Sequence, residues 1–556
     1  MFLQKPRIII ILFFFIVFST LIIIRFFYLQ IIKHTELESY AKREYIRKIQ
    51  EFSPRGKIYD ANGNILADSI ITWDVVITTS QISHSEIETI SKVTGIRLDE
   101  IKKKIKPNTR YLKIKKGINK ESYDILKNIK SIYLEPHQSR IYPQDCAREI
   151  IGMSNENAGL SGIELIYDRY LRGNITVKEI VKDIKGNVIK SNEKEINDRP
   201  FDIYLTIEHE IQSIVEQIIE KHFTSLNAER IIAIVQDSKT GAIVAASSYP
   251  PNYINFMPFE YVYEPGSTIK TIILSAGFEE NVISENDFFD CENGSWKINQ
   301  KYTITDHEKL GVISLIDVYT HSSNIGFGKI GLKIGIKRLY PYIKKFGLGT
   351  KYTQFPGESK GIIKEINKYK DTELITTSYG YGIAITPLQL INAYTAIANR
   401  GELLNPYFIA CIRRDKEYEI QSTQRNVIRK VISPQTAERV IKMMVDVVEN
   451  GTGINARING YTVAGKTGTA NKLDLKTAKY IKDVNVGSFC GFFPASRPFY
   501  TILIIVDSSK KFKYGGQSAA PIFRDIAKQI ISIKSIKPDR PFDTEKNENK
   551  KGIVLN

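Results

Sequence analysis

The longest apolar run of the chain lies near the amino terminus, from Ile8 to Ile24, and contains only two polar residues. After Arg25, apolar side chains extend the run to residue 29. About 20 helical residues at a rise of 1.5 Å each span the apolar layer of a membrane. The run is longer than the apolar part of a cleaved signal peptide, and no small-x-small cleavage site follows it. Residues 8–29 are therefore predicted to form an uncleaved membrane anchor.

The basic residues Lys5 and Arg7 precede this anchor. Because positive charge collects on the cytoplasmic side of membrane segments, residues 1–7 are predicted to be a cytoplasmic tail and the rest of the chain to lie outside.

Short strand-like and helical pieces alternate from the anchor to about residue 200. Alternation over 73–79 predicts a strand, and a helical period over 85–105 predicts a helix. Turn-forming sequences separate such pieces, as at Ser53–Gly56. Residues 30–200 are predicted to form an extended α+β domain, the pedestal, with little visible chemistry.

Longer elements begin at about residue 202. Strands at 231–235 and 242–246 predict a hairpin. Further helices are predicted at 268–280, 315–332, 387–399 and 434–450, and further strands at 462–464, 488–493 and 501–506. Because strands at both ends must meet to complete one core, residues 201–535 are predicted to form an α+β domain with a largely antiparallel sheet covered by helices. Residues 536–556 are predicted to be a disordered tail.

Composition narrows the classes of partner. The 556 residues include 78 Lys and Arg against 61 Asp and Glu, a formal net charge of +17. Such a surplus suits nucleic acid, an anionic lipid surface or an anionic polymer. The predicted topology argues against nucleic acid, which leaves the lipid bilayer and wall polymer. Four cysteines without a CxxC pair and seven histidines without HExxH predict no metal site, and no cofactor is predicted.

The pattern SxxK supplies candidate nucleophiles, because it places a serine and a potential lysine base on one helix face. It occurs four times, beginning at Ser39, Ser191, Ser267 and Ser508. Ser267, with Lys270, follows a Pro-Gly junction and opens an apolar helix, where the helix dipole favours negative charge on oxygen. The alternative interpretation of Ser267 is a helix-capping serine.

The tripeptide Lys-Thr-Gly occurs twice. Lys239–Gly241 lies in the predicted hairpin turn, where a solvated lysine and a turn glycine explain it. Lys466–Gly468 continues an apolar strand between small residues, which permit close approach of a ligand. A lysine there supplies a fixed positive charge, and exposed strand N–H groups can donate to an oxyanion.

A third polar cluster, Ser322–Asn324, follows a helical stretch. It combines a hydroxyl that can relay a proton with an amide that both donates and accepts hydrogen bonds. A cluster of this kind is also typical of an ordinary helix junction.

In this order, SxxK at Ser267, SxN at Ser322 and KTG at Lys466 resemble the signature of penicillin-binding proteins and serine β-lactamases, with Ser323 where that signature has an aspartate. The chain is identified as a member of the class B penicillin-binding proteins over about residues 25–527, most similar to the septal, cell-division type. Further matching stretches are Pro54–Asp60, Arg140–Pro143, Gly159–Glu164, Tyr379–Gly382, Thr386–Gln389, Tyr514–Gly516 and Ala520–Phe523.

The resemblance implies a penicillin-binding transpeptidase domain on a dimerisation-type pedestal. It also implies a peptidoglycan D,D-transpeptidase that crosslinks stem peptides through a serine acyl-enzyme and is acylated by penicillins. The implied roles are Ser267 as nucleophile, Lys270 as general base, Ser322 as proton relay, Asn324 in orientation and Lys466 in electrostatic stabilisation, with Thr467, Gly468 and Thr469 binding the substrate. Backbone N–H groups of Ser267 and Thr469 would form the oxyanion hole.

The same resemblance implies a single-pass protein of the cytoplasmic (inner) membrane, with its catalytic domain on the periplasmic side. The implied partners are a membrane-embedded glycan polymerase and division-complex membrane proteins. The alternatives are an elongation-type transpeptidase, a D,D-carboxypeptidase, a β-lactamase, or a non-enzymatic scaffold that activates a glycan polymerase.

One stretch departs from the class. After the predicted strand 501–506, the class usually has an acidic residue and a proline following the aspartate, whereas this chain has Asp507-Ser508-Ser509-Lys510. The loop beside the active-site strand is therefore expected to differ in shape.

Overall fold

The computed structural model describes residues 5–52, 54–105, 109–155, 158–172, 175–182, 188–193, 200–300, 302–414, 418–474, 477 and 479–542. Its contacts define two compact units. The first comprises Met1–Pro54 with Arg172–Pro200, and the second Arg55–Leu171 with Phe201–Asn556. The segment predicted as the pedestal is thus divided between the units. Residues 1–4 of the predicted cytoplasmic tail and residues 543–556 of the predicted disordered tail lie outside the described residues.

The first unit contains the predicted apolar helix. It runs from Lys5 to Phe27 and continues through a π-helical turn, Tyr28–Ile32. An 18-residue window within residues 8–32 has a mean hydropathy of 2.9, so the helix is long and apolar enough to cross a membrane. The unit also contains helix His34–Tyr45 and a sheet of strands Ile46–Phe52, Ile175–Lys182 and Val188–Glu193.

The pedestal part of the second unit is built around one long strand, Ile65–Thr78. It pairs antiparallel with Tyr111–Ile118 and with Ile132–Ile141. The predicted helical stretch at 85–105 is interrupted, because Gly95 adopts a φ of 71° and ends the first helix. The helices here are His84–Thr94, Leu98–Lys104, Lys120–Leu126, Arg148–Ile151, Gly162–Ile166 and Asp168–Arg172, and strand Ile58–Tyr59 pairs with the long strand.

A buried carboxylate joins three distant stretches of the pedestal. Arg55 Nη2 lies 2.8 Å from Glu164 Oε2, and Arg140 Nε lies 2.7 Å from Glu164 Oε1. Arg55 also pairs with Asp168 at 2.7 Å. The Glu164 side chain is 0% exposed, and both arginine side chains are 6% exposed. Charge-assisted hydrogen bonds of this kind are strong and directional, so Glu164 fixes the relative positions of the three stretches.

Two other carboxylates connect the pedestal to the remainder of the second unit. Asp60 Oδ2 lies 2.8 Å from Nδ1 of His209. Glu149 accepts hydrogen bonds from the hydroxyls of Ser247 and Ser248 at 3.0 and 2.6 Å. Burial raises the pKa of Glu149. Because donors from one segment satisfy acceptors of the other, the contact depends on specific hydrogen bonds as well as apolar packing.

A five-stranded antiparallel sheet organises residues 201–542, here called the sheet domain. Its strands are β1 (Arg230–Asp237), β2 (Ile243–Tyr249), β3 (Ala464–Asp474), β4 (Lys479–Phe493) and β5 (Tyr500–Asp507), and their spatial order is β2-β1-β5-β4-β3. The predicted hairpin and the pairing of early with late strands are confirmed. β3 is an edge strand, which leaves one side of its backbone outside the sheet.

Helices cover both faces of this sheet. Along β1, Ile232 and Ile234 face one core while Ile231 and Val235 face the other, as the two-residue repeat of a strand requires. The main helices are α1 (His209–Leu226), α2 (Lys270–Glu279), α3 (Leu315–Thr320), α4 (Asn324–Ile334), α5 (Pro387–Ala398), α6 (Pro434–Asn450) and α7 (Ala520–Lys534). The domain is therefore α+β with a sheet between helical layers, as predicted.

Smaller elements complete the sheet domain. The strands are Asp202–Leu205, Phe288–Asp290, Ser295–Lys297, Thr303–Thr305, Val312–Ser314, Glu402–Leu404, Ile409–Arg413, Glu419–Ser422 and Val427–Lys430. The helices are Met257–Glu260, Ile336–Lys345, Asp371–Ser378 and Gly515–Ser518.

Residues 536–542 fall in the predicted disordered tail but contact the sheet domain. Tyr461 donates its hydroxyl hydrogen to the carbonyl of Ile536 at 2.6 Å, and Asp539 accepts from the backbone N–H of Thr462 at 2.7 Å. These contacts contradict the prediction of disorder for residues 536–542, because the polar stretch has partners that its composition does not reveal.

The Glu164 pairing predicts a large loss of stability on substitution. We expect Glu164→Gln to lower the free energy of unfolding by about 3–5 kcal/mol, since it leaves the buried guanidinium of Arg140 without a counter-charge and takes from Arg55 one of its two carboxylate partners. Thermal or chemical unfolding of the full chain in detergent measures this loss. Glu88→Gln is the control, because Glu88 is 52% exposed and should change stability by less than about 0.5 kcal/mol. Equal effects of the two substitutions would contradict the assigned role.

Candidate active site

Ser267 lies where a tight turn enters helix α2. The turn Gly266–Ile269 is a 3₁₀ helix, and Gly266 has a φ of 53°. A Cβ atom on Gly266 would lie 2.6 Å from the carbonyl oxygen of Thr469 on β3, so only glycine fits. This close approach holds Ser267 at the start of a buried helix, beside the edge strand.

Two lysines, Lys270 on helix α2 and Lys466 on strand β3, both contact the hydroxyl of Ser322. Lys270 Nζ donates to Ser322 Oγ at 3.3 Å and to the Ser322 carbonyl at 2.7 Å. Lys466 Nζ donates to Ser322 Oγ at 3.0 Å. Lys270 also donates to Asn324 Oδ1 at 2.8 Å. The structure thus brings together the predicted residues of all three motifs.

Ser322 adopts an unusual backbone conformation. Its φ of 60° lies in the left-handed region, which is uncommon for a residue other than glycine. Ser322 occupies the break between α3 and α4, where the predicted single helix over 315–332 is interrupted. Conformations of this kind persist where the surroundings determine them, and they are common at functional sites.

Burial changes the acid–base properties of both lysines. Lys270 and Lys466 are both 0% exposed. Burial lowers the pKa of Lys466 to about 7. Burial, with the neighbouring Lys466 charge, lowers the pKa of Lys270 well below its ordinary range, although Asp306 opposes this shift. Burial disfavours an ammonium ion and favours the neutral amine, which is the form that accepts a proton.

Asp306 organises the Ser-Ser-Asn corner, and no sequence motif indicates it. Its carboxylate accepts hydrogen bonds from the Ser323 hydroxyl and from the backbone N–H groups of Asn324 and Ile325. Ser323 is buried and accepts from the backbone N–H of Gly326 at 2.9 Å, so it caps helix α4. A carboxylate is therefore present at this corner although residue 323 is a serine.

The Lys-Thr-Gly-Thr segment of β3 packs tightly against its surroundings. Thr467 Oγ1 lies 2.7 Å from Thr452 Oγ1, and Thr469 Oγ1 accepts from the backbone N–H of Gly515 at 3.1 Å. A Cβ atom on Gly468 would lie 2.9 Å from the carbonyl oxygen of Pro265. Because β3 is an edge strand, its outer edge is available to an extended ligand.

The other copies of the motifs lie elsewhere. Lys239 is exposed in the turn between β1 and β2, as predicted. Ser39 is exposed in the first unit, and Ser508 donates to Asp507 at 2.6 Å. Ser191 belongs to the first unit, and its partner Lys194 lies outside the described residues.

The unusual sequence after β5 is anchored by Asp507. Its carboxylate accepts from the Tyr261 hydroxyl at 2.9 Å and pairs with Lys472 at 2.9 Å. Ser508 then adopts a φ of 57°, which turns the chain away from the strand. The loop from residue 508 leads to Gly515, which contacts β3 near the Lys-Thr-Gly segment.

The SxxK, SxN and KTG segments, which lie beside the edge strand of this sheet, are typical of penicillin-binding proteins and serine β-lactamases. Residues 231–528 match the penicillin binding protein transpeptidase domain, and residues 50–205 match the penicillin-binding protein dimerisation domain. The chain therefore belongs to the penicillin-binding protein family, and the resemblance to its class B members is confirmed.

Relatives of known name match most of the chain. The peptidoglycan D,D-transpeptidase FtsI homolog of Mesostigma viride is 30% identical, with 96% of this chain and 97% of the relative aligned. Peptidoglycan D,D-transpeptidase FtsI of Buchnera aphidicola subsp. Schizaphis graminum is 32% identical over 93% of each chain. The crystal structure of penicillin binding protein 2X from Streptococcus thermophilus shares the fold with a TM-score of 0.76 at 23% identity, covering 88% of this chain and 81% of that one.

The lowered pKa of Lys466 predicts a pH-dependent cost in stability. Its pKa falls from 10.5 to about 7 on folding, so between these pH values the unfolded chain binds more protons than the folded one. We expect Lys466→Met to be more stable than the unaltered chain by about a few kcal/mol near pH 7. This advantage should shrink as the pH rises towards about 10, because the cost of burying a proton-bearing lysine disappears.

Unfolding of the full chain in detergent at several pH values measures this difference. Lys239→Met is the matched control, since Lys239 is exposed and its substitution should give no such trend. An advantage of Lys466→Met that does not vary with pH would contradict the assignment.

Proposed function

We propose that this protein is a peptidoglycan D,D-transpeptidase that crosslinks stem peptides in the cell wall through a serine acyl-enzyme. The observation that carries the proposal is the convergence of Lys270 and Lys466 on the Ser322 hydroxyl, beside Ser267 and the edge strand β3. Family membership and relatives named as D,D-transpeptidases support the same activity.

The first chemical step forms the acyl-enzyme. Neutral Lys270 takes the proton of Ser267 as Oγ attacks the carbonyl between the two terminal D-alanines. Backbone N–H groups of Ser267 and Thr469 stabilise the resulting oxyanion, a contribution typically worth about a hundredfold or more in rate. Collapse of the tetrahedral intermediate breaks the C–N bond, and the terminal D-alanine leaves after its nitrogen receives a proton.

Ser322 is well suited to deliver that proton. Its hydroxyl lies within hydrogen-bonding distance of both Lys270 and Lys466, so a proton on Lys270 has a short route to the leaving nitrogen. Asn324 orients Lys270 through the 2.8 Å hydrogen bond to its side-chain oxygen. In the second step an amine of another stem peptide attacks the acyl carbon, Ser267 leaves and regains a proton, and the crosslink forms.

Lys466 and the threonines of β3 bind the substrate's terminal carboxylate. A buried ammonium group loses much of its desolvation cost when an anion approaches it, so carboxylate binding favours the charged form of Lys466. Thr467 and Thr469 add hydroxyl donors on the same strand, and Gly468 allows the backbone to approach closely. Penicillins, which carry a carboxylate beside a reactive amide, would acylate Ser267 in the same way.

The protein acts in septal wall synthesis and is held by its apolar helix in the cytoplasmic membrane. The named FtsI relatives support the septal role, and the basic residues before the helix support a cytoplasmic N-terminus and a periplasmic sheet domain. A membrane-embedded glycan polymerase and division-complex membrane proteins are its proposed partners. Fluorescence of the labelled chain at the division site of growing cells tests this assignment; uniform distribution along the cell wall would favour the elongation type.

Hydrolytic activities are the alternative at the same site. A D,D-carboxypeptidase or a β-lactamase would use water where a transpeptidase uses an amine. Rapid turnover of penicillin would identify a β-lactamase, whereas a long-lived acyl-enzyme favours the transpeptidase. Release of D-alanine without formation of crosslinked peptide would identify a carboxypeptidase.

The proposed nucleophile is tested by covalent labelling. We expect Ser267→Ala to abolish labelling by a fluorescent penicillin, because it removes the hydroxyl that lies at the entry to α2 beside the edge strand β3 and that would form the acyl-enzyme. Lys239→Ala, in the other Lys-Thr-Gly segment, should leave labelling unchanged. Labelling that survives in Ser267→Ala would place the nucleophile elsewhere, and growth of cells that depend on Ser267→Ala would favour the scaffold role.

The charge of Asp306 should determine the pH below which the rate of penicillin acylation falls. Its negative charge raises the pKa of Lys270, so Asp306→Asn should lower that pKa further. Because the neutral amine is the base, the acid limb of the penicillin acylation rate should move to lower pH by about half to one unit.

The pH profile separates this effect from a general loss of activity. The second-order rate constant for acylation is measured across the pH range for the unaltered full chain, for Asp306→Asn and for Glu308→Gln. Glu308→Gln is the control, because Glu308 is 56% exposed and pairs with His321. An acid limb of Asp306→Asn that stays in place or moves to higher pH would refute the role.

A further inference from the structure

A polar cavity of about 590 Å³ lies within the pedestal, away from the residues of the proposed active site. The strands Ile65–Thr78 and Ile132–Ile141 contribute Ser69, Ser139 and Arg140 to its lining, and the segment that follows contributes Arg148 and Ser154. Part of this lining comes from the stretch Arg140–Pro143, to which the transpeptidase reaction assigns no task.

Arg140 presents a hydrogen-bond donor that no described residue accepts. Its Nε is paired with Glu164, and its Nη1 donates to Ser69 Oγ at 3.0 Å. Its Nη2 is buried and has no hydrogen-bond partner among the described residues. The side chain is 6% exposed and held rigidly by these contacts. A buried guanidinium donor without a hydrogen-bond partner lowers the stability of the protein, unless a bound ligand accepts a hydrogen bond from it.

Arg148 presents a second unused donor to the same cavity. Its guanidinium carbon lies 3.5 Å from the ring centroid of Tyr142, and this stacking fixes the plane of the group. Arg148 Nε is buried without a hydrogen-bond partner within the part of the chain that the structure describes. The hydroxyl of Ser154, which lies close to Tyr142, is a third buried polar group of the lining.

The carboxylates near the cavity are already committed. Both oxygens of Glu164 bind arginines, one each from Arg55 and Arg140, and Asp168 binds Arg55. His137 is also in the lining, and its Nδ1 lies 3.1 Å from Oδ1 of Asp74. Among the described residues, Arg55, Arg140 and Arg148 therefore line the cavity, and Glu164 and Asp168 pair with the first two, which leaves one positive charge in excess there.

We infer that this cavity binds an oxyanion, a phosphate or a carboxylate group, at Arg140 and Arg148. A group with only acceptor oxygens can receive hydrogen bonds from Arg140 Nη2, Arg148 Nε and the Ser154 hydroxyl together, and its charge balances the excess guanidinium. Arginine favours such ligands because its planar donors match the geometry of phosphate and carboxylate oxygens. The site is separate from the proposed function and does not depend on it.

Anion-dependent stabilisation of the full chain tests the site. Thermal unfolding in a non-ionic detergent is followed while inorganic phosphate or acetate is added, with sodium chloride at equal ionic strength as the reference. Binding to the folded state alone should raise the melting temperature in a saturable manner. Saturation by phosphate identifies a phosphate site, and saturation by acetate alone identifies a carboxylate site. A response to both anions that equals the response to chloride overturns the inference.

Variants locate the binding. Arg148→Gln should weaken the response to the anion at least about tenfold, since it removes a charged donor. Arg110→Gln is the matched control, because Arg110 also lies over a tyrosine, Tyr111, but is exposed. Ser154→Ala, which removes only a hydroxyl, should weaken the response by a smaller factor. Penicillin labelling of Ser267 should persist in all three variants, and an unchanged anion response in both Arg148→Gln and Ser154→Ala overturns the inference.

Discussion

The burial of two lysines around one serine hydroxyl is the constraint on which the candidate active site depends. An ammonium group in a protein interior is unfavourable, and two of them close together are more so. Lys270 and Lys466 both direct Nζ towards Ser322, and burial lowers the pKa of each. The neutral amine so favoured gives the site a base, and a lysine that regains its proton gives it a positive charge for a substrate carboxylate.

This constraint explains several features of the surrounding fold. Lys270 is buried because α2 is covered on all sides, and Lys466 is buried on β3 with its Nζ against Ser322 and the ring of Tyr319. The two lysines are brought together by a sheet in which the last strands of the domain pair with the first hairpin. Gly266 and Gly468 then remove the side chains that would keep helix and strand apart.

The sequence predicts those parts of the structure that depend on local pattern. The hairpin of β1 and β2, the late strands and the choice of Ser267 and Lys466 over their duplicates follow from apolar periodicity and flanking residues. The left-handed conformation of Ser322 and the carboxylate of Asp306 do not, because each is determined by contacts between segments. The same holds for Glu164, whose arginine partners are distant in sequence, and for the docking of Asp539.

A shared principle links the active site with the pedestal. In both places the protein buries cationic side chains beside one another. At the active site burial lowers the pKa of both lysines and so favours their neutral form, which a lysine can adopt by losing its proton. Arginine cannot do this, because its pKa stays far above neutrality. The inferred anion would therefore balance the guanidinium that has no carboxylate partner among the described residues, since both oxygens of Glu164 are occupied. The chemical difference between lysine and arginine thus separates a site that needs a movable proton from a site that needs a bound ligand.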